Sequence, residues 1–352
     1  MPDFILTTCQ IGAEAALKAE MARDWPDLRF AYSRPGFLTF KMLDGKRIGE
    51  ECDLGLVFAR ASGFSLGKVA GATMEERAGD VWRLAAERPI RRLHVWRRDL
   101  VGPDFRGRIV EPPPNVAEIE AGIVRAAPES GAALRDPTRA GDLVLDCVVV
   151  EPDEWWIGWH RARSVTSCWP GGRFDVALPP DAVSRAWLKM EEALVWSDLP
   201  LEPGDLCAEI GSAPGGASQA LLGHGIHVIG IDPADMDSRV LAMPGFVHWK
   251  MRGADVRRRE FRKVRWLFAD INVAPSYTLD TVEAIVTHSD VHVQGVLLTL
   301  KLLDWSLAAE IPAYLERVRS WGFGRVAARQ LHHNRQEICI AAQRGRRPRR
   351  SS

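Results

Sequence analysis

Long apolar runs are missing from this chain. None approaches the ~18 residues of a membrane span, and the opening Met1-Pro2-Asp3-Phe4-Ile5-Leu6 carries neither a basic n-region nor an extended h-region. A cytoplasmic protein with no membrane partner is the expectation. Cysteine is sparse and scattered: Cys9, Cys52, Cys147, Cys168, Cys207 and Cys339 form no CxxC pair and no Cys/His cluster of ligand spacing. Buried free thiols are therefore expected, with neither a metal nor a disulfide framework. Neither sign of charge dominates, because 46 Lys and Arg face 46 Asp and Glu. Taken alone, that balance argues against a nucleic-acid partner, but it leaves room for uneven distribution. Two nucleotide signatures are also absent. GxGxxG fails because Gly211 is followed by Ser212, Ala213 and Pro214, and no GK[ST] follows to hold a triphosphate.

What is present fits an ordinary globular chain of two or three domains, since 352 residues at 46% apolar content can bury substantial cores. Residues 1–50 read as a small α+β unit: strand Phe4–Cys9, helix Glu14–Asp24 and strand Gly36–Met42. Leu54–Arg60 reads as a further buried strand. An amphipathic helix over Thr73–Ala86 precedes a stretch in which Arg83, Arg88, Arg91, Arg92, Arg97, Arg98, Arg106 and Arg108 face few local acids. Such a run neutralises phosphates or forms a solvated charged face, with even weight on each. Asp104–Pro114 is expected to be a loop, Val116–Ala127 a helix, and Leu143–Val150 with Glu154–Trp159 a hairpin. The hairpin's Trp155, Trp156 and Trp159 suit sheet packing better than base stacking. Turn residues from Trp169 to Pro180 mark the domain boundary. The basic tail, residues 344–352, follows the last strand.

After that boundary a helix is expected from Asp181, as N-cap, to Trp196, with Lys189 beside its apolar stripe. Strands and helices then alternate: strand Leu206–Ile210, strand Ile226–Ile231 ending in Asp232, strand Val264–Ala269 ending in Asp270, helix Tyr277–Ser289, strand Val296–Leu300 ending in Lys301, and helix Leu307–Trp321. This is the pattern of an α/β, Rossmann-like parallel sheet over residues 181–343. Arg325–Gln330 and Glu337–Ala342 are too close for a helical crossover and should pair antiparallel.

The stretch Glu209-Ile210-Gly211-Ser212-Ala213-Pro214-Gly215-Gly216 is strand, glycine turn and helix start, a nucleotide-type site. Asp232 lies where an acid grips a ribose diol, so a nucleoside cofactor without a phosphate chain is indicated, S-adenosylmethionine foremost. Ligands of open α/β sheets sit outside the carboxyl ends of the strands. That rule gathers Glu209, Gly211, Ala213 to Gly216, Asp232, Asp270 and Lys301 on one rim, and an antiparallel last strand brings Glu337 there. Lys189 and Lys301 would lower each other's pKa while Asp270 and Glu337 raise it, a balance that spacing alone leaves open.

Four segments resemble one family, the bacterial 23S ribosomal RNA cytidine ribose 2′-O-methyltransferases (RlmM-like). They are Ser184-Arg185-Ala186-Trp187-Leu188-Lys189-Met190-Glu191-Glu192-Ala193, Ile210 to Gly216, Leu300-Lys301-Leu302, and Arg329-Gln330-Leu331-His332-His333-Asn334-Arg335-Gln336-Glu337. Val57-Phe58-Ala59-Arg60 is also similar. The resemblance implies a THUMP-type RNA-binding domain over 51–170 behind an N-terminal α+β subdomain, an S-adenosylmethionine-dependent enzyme, and 23S rRNA as partner of a monomer. It implies a catalytic tetrad of Lys189, Asp270, Lys301 and Glu337, with Lys301 as proton acceptor. Cofactor contacts would come from Ser184, Ala213 to Gly216, Asp232, Asp255 and Asp270. Glu209-Ile210-Gly211 and Ala213-Pro214-Gly215-Gly216-Ala217 depart from the family's Asp-Leu-Gly and Cys-Pro-Gly-Gly-Trp. The rivals are ribose methylation of another RNA and a catalytically silent RNA-binding or ribosome-assembly factor.

Overall fold

A computed structural model describes residues 4–46, 48–50, 53–86, 88–99, 115–128 and 131–345, divided between two compact units, Met1–Phe174 and Asp175–Ser352. The expected loop Asp104–Pro114 with Arg106 and Arg108, Cys52, and the tail beyond Gly345 lie outside the described residues.

The first unit runs β1 (Phe4–Cys9), α1 (Glu14–Asp24), β2 (Leu28–Arg34), β3 (Phe37–Met42), β4 (Ala59–Val69), α2 (Met74–Ala85), β5 (Arg92–Arg97), α3 (Val116–Arg125), β6 (Leu143–Glu151) and β7 (Glu154–Arg161). These seven strands form one sheet in the order β2-β3-β1-β4-β7-β6-β5, so strands from residues 1–50 and 51–170 share one layer. β5 and β6 pair in parallel with α3 in their crossover, and the other pairings are antiparallel. Val81 of α2 and Ile119 and Ile123 of α3 pack on the face bearing Leu145, Cys147 and Val149. The opposite face carries His94, Asp146 and Val148, because side chains alternate along a strand.

Two expectations fail here. Leu54–Arg60 is not a strand, since pairing begins at Ala59. Instead the amides of Val57 and Phe58 donate to the buried Glu20 carboxylate at 2.7 and 3.1 Å, so these residues are buried without joining a ladder. β2 was not anticipated, because it is an edge strand whose exposed Phe30 breaks the apolar alternation. The tryptophans of β7 pack, as expected: Trp155 and Trp159 are buried, and Trp156 stacks on Tyr32 with 5.4 Å between ring centroids.

The second unit runs α4 (Ala186–Ser197), β8 (Leu206–Ile210), α5 (Gly216–Gly223), β9 (His227–Ile231), α6 (Ser238–Leu241), β10 (Phe246–Trp249), β11 (Trp266–Asp270), α7 (Pro275–Val286), β12 (Gly295–Lys301), α8 (Ile311–Ser320), β13 (Arg325–Arg329) and β14 (Glu337–Gln343). Its sheet order is β10-β9-β8-β11-β12-β14-β13. Strands from β10 to β12 are parallel, and β14 runs antiparallel to both β12 and β13, as the short β13–β14 connection requires. Chain order reverses at β8, and that reversal opens a crevice beyond its carboxyl end. Trp266, Phe268, Leu297 and Cys339 fill the core beneath it.

Asp181 is not a helix cap. α4 begins at Ala186 after Arg185, and the Asp181 carbonyl accepts from the side chains of Gln219 and Arg239 at 3.2 and 3.1 Å. Gln219 also accepts from the Val183 amide at 3.0 Å, so a side chain of α5 holds the segment out of helix. The helix expected from Leu307 starts later, at Ile311, after a 3-10 turn over Trp305–Glu310. Pro312 suits the new first turn, where no amide hydrogen is needed. β10, a short edge strand, carried no period long enough to read. Among the described residues no helix is long and apolar enough to cross a membrane.

Candidate active site

The turn after β8 depends on two close approaches. At Gly211, φ is 83° and a Cβ would stand 2.4 Å from the Asp270 carbonyl oxygen; at Gly216 it would stand 2.2 Å from Ser184 Oγ. Only glycine lets the ends of β8 and β11, and Ser184 and α5, come this close. α5 begins at Gly216 with no side-chain cap, which leaves the amides of its first turn directed at the crevice. Asp232, one residue beyond β9, accepts from the Ala213 amide at 3.2 Å and the Ala234 amide at 2.8 Å. One carboxylate thus braces the turn from Ala213 to Gly216, and each oxygen keeps a second lone pair. Asp255 is exposed on a 3-10 turn whose Gly253 packs against Ile210 at the end of β8.

Glu209 sits below the rim. It is 2% exposed and bonded to the Ser218 hydroxyl. Burial, opposed by that hydrogen bond and assisted by Asp270 and Asp232, pushes its carboxyl up to about 8. It floors a cleft whose walls include Ala186, Lys189, Ala217, Asp270 and Thr299.

Lys189, Asp270, Lys301 and Glu337 come from α4, β11, β12 and β14 and meet in one closed ring of ion pairs. Lys189 Nζ lies 3.4 Å from Asp270 Oδ2 and contacts Glu337 Oε1; Lys301 Nζ lies 2.7 Å from Asp270 Oδ1 and contacts Glu337 Oε2. Register explains the convergence. β12 pairs antiparallel with β14 so that Lys301 faces Glu337, while Asp270 pairs with Thr299 on the neighbouring strand. Burial raises a carboxyl pKa, yet Lys189 and Lys301 overcome it and hold Glu337 down at about 2. Burial would likewise lower Lys301, but Asp270 and Glu337 raise it above the ordinary lysine value. In the resting ring the acids decide the balance for Lys301, and it is an ammonium.

Residues beyond the expected set hold this ring in place. The buried carboxylate of Glu192, on α4, accepts from the amides of His332 and His333, the latter at 2.8 Å, and ties the loop before β14 to the helix carrying Lys189. Asn334 reaches Glu337 Oε1 through its side-chain amide at 3.2 Å. Both lie in segments whose spacing was visible, but a carboxylate that grips amides about 140 residues away leaves no local pattern.

The basic stripes divide. Arg92 pairs with Asp142 at 3.2 Å, Arg98 with Glu151 at 2.8 Å and Arg83 with Asp80, while Arg91 is exposed. A second arginine-rich stretch, Arg252 to Arg265, contains two 3-10 turns, Gly253–Asp255 and Arg258–Lys263, with Arg265 paired to Asp205 at 3.1 Å and Arg252, Arg262 and Lys263 exposed.

Residues 182–308 match the FtsJ-like methyltransferase family. The chain is 29% identical over 233 residues to the ribosomal RNA large subunit methyltransferase M of Azotobacter vinelandii, covering 63% of this chain and 64% of that protein. The protein of the same name from Alkalilimnicola ehrlichii is 31% identical, with 62% and 61% covered. That from Pseudomonas aeruginosa is 28% identical, with 53% and 54% covered. The chain spans less than two thirds of the length of these relatives. Sheet order, glycine turn and family match together make the second unit similar to the FtsJ-like methyltransferases, in a chain similar to the large-subunit ribosomal RNA methyltransferases M.

Proposed function

We propose that the second unit binds S-adenosylmethionine and transfers its methyl group to a ribose 2′-hydroxyl of RNA, with a cytidine of 23S rRNA as the target and the first unit as a THUMP-type RNA-binding region. The observation that carries this reading is the ring of Lys189, Asp270, Lys301 and Glu337 beside the glycine turn. The residues present suit the cofactor. The uncapped start of α5 and the bare glycines accept a carboxylate and close backbone contact, Asp232 offers free lone pairs to a ribose diol, and Ser184 and Asp255 flank the same crevice. When bound, that group supplies a methyl on a sulfonium, an electrophile that needs no metal.

The chain's own work is to place the hydroxyl and take its proton. Lys301 is the acceptor in this reading, and it must first lose the proton that Asp270 and Glu337 stabilise. An incoming hydroxyl that draws either carboxylate away weakens that hold, while Lys189 keeps Glu337 anchored. Orientation of hydroxyl against methyl supplies the remainder of the rate.

The test is methyl transfer from labelled S-adenosylmethionine to ribosomal RNA taken from cells lacking this protein, read as ribose methylation. Wild type should modify one site and Lys301→Ala should not. Full activity in Lys301→Ala removes the base assignment, and RNA binding without any methyl transfer by wild type establishes the silent binding factor instead.

A further inference from the structure

We propose that His94, Asp146 and His160, in the first unit, form a site for one divalent first-row cation of the zinc type, stapling β5, β6 and β7 together. These residues stand on three neighbouring strands, and their side chains share one face of the sheet. Ligand atoms from the three lie within 4.8 Å of one another. Spacing along the chain conceals the group, because the ligands are gathered by strand pairing and not by a local motif.

The outer hydrogen bonds fix what each ring presents to the centre. His160 Nε2 lies 2.8 Å from the Ser167 carbonyl, which can only accept, so that nitrogen carries a hydrogen. Its Nδ1 lies 2.6 Å from Asp146 Oδ2, a contact that requires a proton or another electrophile between two lone pairs. His94 is anchored at Nε2 by the Thr138 hydroxyl at 2.8 Å. Its Nδ1 and Asp146 Oδ1 face each other 4.0 Å apart, and neither has a hydrogen-bond partner among the described residues. Both groups are deeply buried, at 3% and 1% exposed, where an unpaired polar atom is costly. Burial, with a further push from the His160 charge, holds His94 down at about 4 despite Asp146, so this approach is not an ion pair at neutral pH.

Ligating imidazoles are generally oriented by a hydrogen bond from the second ring nitrogen to a carbonyl or side-chain oxygen, and both rings here have one. Zinc takes nitrogen and carboxylate ligands at about 2.0–2.2 Å, so neighbouring donors stand roughly 3.3 Å apart. A small rotation of the Asp146 carboxylate brings the 4.0 Å gap into that range. Two neutral imidazoles and one carboxylate balance all but one charge of the cation, which replaces the proton on His160 Nδ1 and releases it to solvent. The partly open edge of the His160 side chain, 14% exposed, is the way in.

The experiment uses the untagged full chain, stripped with chelator, incubated with zinc and desalted. One zinc per chain is expected, lost in His94→Gln and in His160→Gln, and free zinc at 100-fold above Kd should raise the folded-to-unfolded ratio about 100-fold. Cobalt substituted into wild type serves as the second measurement if a variant fails to fold, and its spectrum should show nitrogen and oxygen donors. No retained zinc in wild type, a full equivalent retained in the double variant His94→Gln/His160→Gln, or a thiolate-to-cobalt absorption band would each overturn the proposal.

Discussion

Glu337 and Asp146 each sit between a pair of nitrogen bases, and they live in different electrostatic worlds. Glu337 lies between Lys189 and Lys301 at the first residue of a strand, whereas Asp146 lies between His94 and His160 in the middle of one. A mid-strand residue has neighbours above, below and on both sides, so its partners are enclosed with it. A residue at a strand end shares a rim with the crevice, where a ligand displaces one contact without unfolding the sheet. The flanking bases differ as well. Asp270 and Glu337 raise Lys301 against burial and keep it an ammonium in a closed ion-pair ring, while burial holds His94 down at about 4 and leaves its Nδ1 without a hydrogen-bond partner among the described residues.

The largest effect that separates the two regions is catalytic. Lys301→Ala should cut methyl transfer by about 10²–10⁴-fold, the share of a positioned acid or base, while calorimetry shows cofactor binding retained. Asp146→Asn should leave transfer to a saturating substrate within a few fold. Equal losses in both variants would dissolve the contrast. Asp232→Ala comes next: removal of a charged hydrogen-bond acceptor should weaken cofactor binding by about 10–100-fold in Kd, with little change in maximal rate.

The pH dependence sharpens the comparison further. Because Lys301 is raised in the resting ring, the rate should climb as pH rises past the ordinary lysine value, and Glu337→Gln, which leaves Asp270 as its remaining acid, should move that limb to lower pH. A limb that stays put in the variant removes Glu337 from control of the base. Stability responds at the acid end. Glu337 is depressed from its ordinary 4.5 to about 2, so its contribution is fully present above 4.5 and disappears as pH falls through 2. Acid titration of wild type against Glu337→Gln should show the difference between them shrinking over that window.

The smallest expected effect concerns the histidines. Asp146 raises His160 despite burial, so the stabilisation it provides is full below the unfolded histidine value of ~6.5 and is lost as pH rises through the higher folded value. Thermal melts of Asp146→Asn in chelator should lose this slope as pH rises above ~6.5. An unchanged slope would show that the Asp146 charge does not set it.

Legibility followed the range of the interactions involved. β8, β9, β11, β12 and the antiparallel closing strands were readable because each is a short apolar run ending at a turn residue or a charge, and the run is itself the local cause of burial. Leu54–Arg60 misled for the same reason: burial was correctly implied, but Glu20 satisfies the amides of Val57 and Phe58 in place of a neighbouring strand. Asp181 misled because Gln219, on another helix, outcompetes helix formation around it. Glu209 was placed on the rim from its position alone, and its side chain turns inward to Ser218.

Periodicity and turn chemistry, written in the order of residues, determined the parallel sheet, the glycine turn and the arrival of Asp232, Asp270, Lys301 and Glu337 at strand ends, since alternation and strand direction are local properties. Tertiary structure alone decided charge states and partnerships. Whether Lys301 is held as an ammonium, whether Glu192 fixes the loop before Glu337, and whether His94 and His160 share Asp146 all depend on distances of a few ångströms between residues far apart in the chain. Coulomb energy and desolvation vary steeply over just those distances, and linear order does not encode them.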